Sequence, residues 1–223
     1  MDLIVRGGYL ITMDSERKII KDGAIKIEKD KIVDVGKYKD IKSKYSAELI
    51  LGSEKHIVMP GLIDCHVHLA QAMLRGFADN VTLISWLKDF VWPLQGSYEG
   101  RDGEVSAKLC MLEMIRTGTT CFLESMLHSR YGLDAIAKSL EECGLRGILS
   151  KTVMDMPGYA MEQGIMHKGM LETKEESLNA ALEMIDKWNG KANGRIKVWF
   201  GPRTPGACTP ELYRTISLSL IHI

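Results

Sequence analysis

Between residues 62 and 201 the chain alternates short apolar runs with amphipathic stretches at helical spacing, and that alternation leaves few folds open. The apolar runs begin at Leu62, Thr119, Gly147 and Ile196. Between them lie residues 104–116, where Ala107, Cys110, Met111, Met114 and Ile115 recur at three and four residues, then residues 133–143 and 174–189. Such spacing marks the buried face of a helix, and Gly144, directly after the second stretch, suits a helix C-terminus. Residues 83–91 read as a further helix with Trp86, Leu87 and Phe90 on one side. Strand and helix in succession predict a parallel sheet, because a parallel return needs a long crossover that packs on the sheet. Four such strands are about half of an eight-stranded (β/α)8 barrel, which takes roughly 250 residues.

The first 58 residues have another texture. Leu3-Ile4-Val5, Tyr9-Leu10-Ile11-Thr12, Ala24-Ile25-Lys26-Ile27, Lys31-Ile32-Val33-Asp34-Val35 and Ala47-Glu48-Leu49-Ile50 are short and apolar or alternating. Turn residues such as Arg6-Gly7-Gly8, Lys21-Asp22-Gly23 and Gly36 separate them. These runs predict a small N-terminal β-sandwich domain over residues 1–58, incomplete because few strands must supply two sheets. The half-barrel then occupies residues 59–217.

At the junction stands Met59-Pro60-Gly61-Leu62-Ile63-Asp64-Cys65-His66-Val67-His68. Apolar Ile57, Val58 and Met59 lead through a Pro-Gly step into what reads as a buried strand ending in two histidines. Alternate side chains of a strand share a face, so His66 and His68 point the same way. Two imidazoles so placed suit one divalent metal ion. By spacing alone they suit a capping or surface pair equally well.

The C-terminal end reads differently again. A helix starts at Pro210-Glu211-Leu212-Tyr213-Arg214 and is expected to fail, since Ser217-Leu218-Ser219-Leu220-Ile221-His222-Ile223 does not keep helical periodicity. Leu-Ser-Leu-Ile-His-Ile is also the translation of a common transposon sequencing adaptor. Residues 218–223 are therefore read as adaptor-derived, with an apolar C-terminal strand as the alternative, and His222 is not counted as a ligand. An open half-barrel leaves unpaired strand edges, so the chain is expected to be the N-terminal part of a longer protein and to be inactive alone.

Composition narrows the partners. Lysine plus arginine and aspartate plus glutamate number 29 each, for a formal net charge of zero. That balance argues against nucleic acid or an anionic membrane as the main partner. No stretch approaches the roughly 18 apolar residues of a membrane span. The opening residues lack the basic-then-apolar layout of a signal peptide, so a cytoplasmic location is expected. Cys65, Cys110, Cys121, Cys143 and Cys208 form no C-x-x-C pair and read as reduced thiols.

The segments VMPGLIDCHVHLAQAMLRGFADN, ISWLKDFVWPL, EMIRTGTTCF and FGPRTPGACTPEL stand in the order and spacing of the amidohydrolase superfamily. The chain resembles that superfamily's branch of nucleoside and triazine aminohydrolases and chlorohydrolases. MDLIVRGGYLITMD with DGAIKIEKDKIVDVG is similar to the family's small N-terminal β-domain, and the resemblance covers residues 1–217. It implies a metal-dependent barrel hydrolase acting on carbon–nitrogen, not peptide, bonds of a heteroaromatic ring, with a small-molecule substrate. His66 and His68 match the family's first two ligands for one divalent metal, zinc first and ferrous iron second, which makes a bound water a nucleophile near neutral pH. The remaining ligands and the proton-transferring carboxylates belong to later strands, so no catalytic residue is assigned in this chain.

Two positions bear on the substrate. Relatives that deaminate S-adenosylhomocysteine and methylthioadenosine carry a ribose-binding glutamate after Trp-Pro, where this chain has Gln95, and a histidine after Gly-Pro, where it has Arg203. Guanine deaminases are similar at the second position, with an arginine on the purine. The resemblance thus implies substrate-binding roles for Gln95 and Arg203 and points away from nucleosides, toward an oxopurine, pterin-like or triazine ring. A surface loop is the alternative for Arg203. Glu124 stands open between lining the pocket and a helix N-terminal charge near His128. His128 and His167 read as solvated loop residues, and His56 as structural. Met154, Met156, Met161, Met166 and Met170 suit a mobile apolar lid or plain packing equally. A chlorohydrolase and a non-catalytic scaffold are the competing functions, and homo-oligomerisation of the parent protein is left open.

Overall fold

A computed structural model of the protein describes residues 2–156 and 166–221, including their side chains except at 220 and 221. The chain divides into two compact units, Met1–Gly61 and Leu62–Ile223. Among the described residues no helix is long and apolar enough to cross a membrane.

The first unit contains β1 (Asp2–Ile11), β2 (Ile19–Glu28), β3 (Lys31–Lys37), α1 (Tyr38–Lys44) and β4 (Leu49–Val58). Its strands form one sheet of order β3-β2-β1-β4, with β4 parallel to β1 and the other pairs antiparallel. Of the incomplete sandwich expected here, the described residues supply one sheet, and α1 packs on it. Ile41 of α1 packs on Ile4 and Ala24, with Tyr38, Tyr45 and Ala47 around them. This helix escaped the sequence reading because Ile41 is its single buried residue and lysines dominate the rest. Ile57 and Val58 also belong to this sheet, in register with Tyr9 and Leu10, and not to the strand carrying the histidines. Met59-Pro60-Gly61 ends the pairing, as expected where proline removes a ladder donor.

The second unit begins with β5 (Leu62–Val67), a 3-10 turn (Leu69–Leu74), α2 (Leu83–Ser85), a π turn (Trp86–Val91) and α3 (Trp92–Gly96). Then come α4 (Asp102–Thr117), β6 (Thr119–Leu127), a 3-10 turn (Ser129–Tyr131), α5 (Leu133–Cys143) and β7 (Arg146–Val153). A 3-10 turn (Lys168–Met170), α6 (Lys174–Trp188), the short α7 (Lys191–Gly194), β8 (Ile196–Pro202) and α8 (Pro210–Ile221) complete it. The sheet order is β5-β6-β7-β8, parallel throughout. Phe122 and Leu127 of β6, with Leu149 and Val153 of β7, meet Met111 of α4, Leu140 of α5 and Ile185 of α6 in one core. Gly144 ends α5 at φ +85°, a conformation that side-chain-bearing residues avoid.

Two further expectations are corrected. Strand β5 is not buried: it is the edge of its sheet, and Ile63 on it is 68% exposed. Helix α8 does not fail after Arg214 but runs to Ile221. Leu212 and Ile216, four apart, are its buried contacts, and the Ser219 hydroxyl donates to the Thr215 carbonyl at 2.9 Å instead of breaking the helix. Residues 218–221 thus continue α8, with Leu218 turned outward.

Helix α6 starts on a capping box: Thr173 Oγ1 accepts from Glu176 N at 3.2 Å, and Glu176 Oε2 accepts from Thr173 N at 2.8 Å. Thr173→Ala is expected to cost about 1 kcal/mol. Gly103, in the first turn of α4, leaves no room for a Cβ, which would lie 2.1 Å from the Tyr131 carbonyl oxygen. Gly103→Ala is expected to cost more than the capping change, about 1–3 kcal/mol, since a backbone atom cannot rotate away. Urea unfolding of both variants checks the ranking.

Candidate metal and ring-binding site

The C-terminal end of β5 carries the first part of the site. His66 is in the strand and His68 directly follows it, with ring centroids 4.9 Å apart and planes at 77°. Asp64 Oδ1 accepts from the His66 backbone N–H at 3.0 Å, and Ser125 Oγ lies 3.1 Å from His66 Nδ1. His68 Nδ1 is buried without a hydrogen-bond partner among the described residues, 3.9 Å from Glu124 Oε1. Among the described residues no group of three or more His, Cys, Asp or Glu side chains converges to hold a metal. The two histidines are therefore a pair, not a complete ligand set.

Glu124 sits at the N-terminus of the turn Leu69–Leu74, not of the turn near His128. It is fully buried on β6 and accepts from the Leu69 N–H at 2.5 Å and from the Met126 N–H at 2.7 Å. Ser106 of α4 donates to the Leu69 carbonyl at 2.8 Å, and the Tyr98 hydroxyl to the Ala70 carbonyl at 2.5 Å. Side chains from β6, from α4 and from the loop between α3 and α4 thus clamp the backbone immediately after His68. A carboxylate inside an apolar run, Phe122-Leu123-Glu124, was the signal for such a role, since a buried carboxylate must find donors.

The second part of the site brings Gln95 and Arg203 into buried surroundings. Across the π turn the Trp92 N–H bonds to the Leu87 carbonyl, five residues back. Trp92 and Gln95, one turn apart, are both buried, and neither polar atom of the Gln95 side chain has a partner among the described residues. Arg203 follows β8, where its N–H bonds to the Val153 carbonyl at 3.2 Å. Its guanidinium lies over the Trp92 ring, 5.2 Å from the centroid, and one terminal nitrogen is 2.8 Å from Met126 Sδ and 3.0 Å from His128 Nε2. Arg203 is half-buried in the loop that follows β8.

His128 is not solvated: it is 1% exposed, with the Tyr131 ring 5.5 Å away. Burial, and then the nearby Arg203 cation, push its pKa well below the usual histidine value. Sequence reading placed it in a loop, but the turn Ser129–Tyr131 folds Tyr131 into the core and takes His128 with it. His167 is half-buried, its Nδ1 accepting from the Gly169 N–H at 3.1 Å. Met154, Met166 and Met170 pack in the core while Met156 is exposed; Met161 lies outside the described residues. His56 is exposed on β4, 2.9 Å from Ser53 Oγ. The sequence reading missed Lys151, which is fully buried on β7 and donates to Glu172 and to the Thr152 carbonyl, both at 2.6 Å.

The chain has relatives among known proteins. The profile of the amidohydrolase family matches residues 57–220. Over 210 residues the chain is 34% identical to the 5'-deoxyadenosine deaminase of Methanosarcina mazei, covering 94% of this chain and 44% of that protein. The structure of guanine deaminase from C. acetobutylicum with bound guanine in the active site has a TM-score of 0.81 at 24% identity, over 100% of this chain and 51% of that one. Atrazine chlorohydrolase from Arthrobacter aurescens TC1 complexed with zinc has a TM-score of 0.82 at 22% identity, over 99% and 51%. The likeness to the two solved structures shows a shared α/β fold. The chain spans about half the length of each of these proteins.

Two outcomes follow from the buried groups. Glu124→Gln replaces one accepting oxygen by an NH2 that faces a backbone N–H, and should destabilise the protein by about 1–3 kcal/mol, read by denaturant unfolding. His128 gives a pH signature. Its folded pKa is depressed, so below the unfolded value of about 6.5 the unfolded chain binds a proton that the folded chain does not, and stability falls as pH falls. Between pH 7 and pH 5 the melting temperature of the wild type should drop more than that of His128→Gln; parallel profiles would refute this origin.

Proposed function

The chain belongs to the amidohydrolase family, and from that premise we propose that the whole protein is a metal-dependent hydrolase that removes an amino group from a heteroaromatic ring. The observation that carries this reading is the side-by-side placement of His66 and His68 at a strand end braced by Glu124. The residues suit a metal: imidazoles are ligands for borderline divalent ions, and the buried, unpartnered Nδ1 of His68 is a polar atom that the described residues leave unsatisfied. We assign His66 and His68 as two ligands of one divalent ion, zinc first and ferrous iron second. A bound ion of this kind lowers the pKa of water toward neutrality. This chain's own part is to hold the two imidazoles and the ring.

Ring recognition falls to Gln95, Arg203 and Trp92. A buried amide with neither atom satisfied is costly, and a ring edge offering both a donor and an acceptor, the lactam edge of an oxopurine or pterin, would complete it. The Arg203 fork suits a ring carbonyl, and Trp92 offers a flat face. A second reading, a purine nucleoside, is favoured by the 34% identity to a 5'-deoxyadenosine deaminase. Gln95 and Arg203 speak for the oxo ring.

The test uses the full-length protein loaded with zinc, with ammonia release from guanine and from 5'-deoxyadenosine measured side by side. Guanine is expected to lead. Arg203→His with Gln95→Glu should shift the kcat/KM ratio toward 5'-deoxyadenosine by about tenfold or more, the scale of a polar contact exchanged in a binding pocket. A wild type that prefers 5'-deoxyadenosine would sink the oxo-ring reading. His66→Ala with His68→Ala should abolish bound metal in elemental analysis, and retained metal would sink the ligand assignment.

A further inference from the structure

We propose that His128 is a positioning residue for ring recognition: its Nε2 lone pair receives an N–H of Arg203 and fixes the guanidinium over Trp92. The inference rests on the reading that Arg203 contacts the ring, and goes beyond it by naming what aims the arginine.

The contact has one direction. A guanidinium carries five N–H donors, has no acceptor and stays charged, so at 3.0 Å the imidazole nitrogen must accept. Nε2 is then unprotonated and the ring proton sits on Nδ1. At that nitrogen a neutral acceptor directs the N–H without itself forming an ion pair. A carboxylate at the same place would bind the fork more strongly and compete with a ring carbonyl for it.

His128 is built to hold still. It is 1% exposed, it follows the last residue of β6, and the turn after it seats Tyr131 in the core with the two rings 5.5 Å apart. Arg203 follows β8, two strands away in the sheet. Its backbone N–H is fixed by the Val153 carbonyl at the end of β7, so the His128 contact joins the ends of β6 and β8 across the strand between them. A long side chain held at its backbone, over an indole face and at one terminal nitrogen loses most of its rotamer freedom before a ligand arrives. That preorganisation lowers the cost of binding.

The experiment uses the full-length protein with guanine as probe, or 5'-deoxyadenosine if that is the ring it turns over, and reads KM and kcat separately. Arg203→Ala should raise KM about tenfold or more. His128→Leu, which removes the acceptor, should raise KM to a similar degree with kcat within about threefold, and the double variant should be no worse than Arg203→Ala alone, as for two residues acting as one unit. His128→Gln, whose Oε1 reaches the place of Nε2, should restore KM to within about threefold of wild type. His128→Asn, whose oxygen stops short, should not. If His128→Leu does not fold, the Gln and Asn variants decide the matter. A second readout needs no turnover: 15N NMR of the imidazole should show the Nδ1–H tautomer in the wild type and its loss in Arg203→Ala. An unchanged KM in Arg203→Ala would overturn the ring-contact reading. A raised KM in Arg203→Ala with wild-type KM in both His128→Leu and His128→Asn, or an Nε2–H tautomer, would overturn the role of His128 alone.

Discussion

The structure around the site depends on one buried carboxylate. Glu124 gives one oxygen to the Leu69 N–H and the other to the Met126 N–H, and a charge without water is tolerated only on such terms. Hydrogen bonds to an ionised group are each worth about 1.5–3 kcal/mol, so the pair fixes two backbone segments firmly. The first is the turn that follows His68. The second leads to Met126 and His128, which meet Arg203. Both parts of the candidate site are thus referred to one side chain on an inner strand.

Parallel strands explain why the parts assemble where they do. All four strands of the second unit run the same way, so their C-terminal ends lie along one rim, the side on which such sheets bind ligands. His68 follows β5, His128 follows β6 and Arg203 follows β8. The Lys151–Glu172 pair secures the intervening strand: burial pulls the lysine pKa down while Glu172 opposes the fall. Here a polar rim grows directly out of an apolar sheet.

Much of this was legible in the sequence, and the failures have physical causes. The helices α4, α5 and α6 announced themselves because each buries one face against the sheet, and periodicity reports a buried face directly. The helix α1 did not, since a lone Ile41 has no period. His66 and His68 were visible because strand alternation is local. His128 was misread because its burial comes from Tyr131 and Arg203, distant in sequence, and no local pattern encodes that. Gln95 and Arg203 stood out through resemblance, yet their sharing of buried surroundings with Trp92 is a tertiary fact. The strand β5 looked buried because its residues are apolar, but apolar composition says what a strand prefers and not which neighbours it has.

The π turn at Trp86–Val91 has a consequence for how this helix can change. A π turn is an α-helix carrying one surplus residue, and each residue of an α-helix turns the chain by about 100°. Losing a single residue there would let the segment relax to regular α-helix while rotating everything before it by that angle relative to Trp92 and Gln95. One codon therefore separates two facings of the same segment, with Leu83, Ile84 and Trp86 presented to different neighbours while the indole and the amide keep their places. A change of length at this point therefore comes in steps of whole faces, and it can alter what lies before Trp92 without moving Trp92 or Gln95.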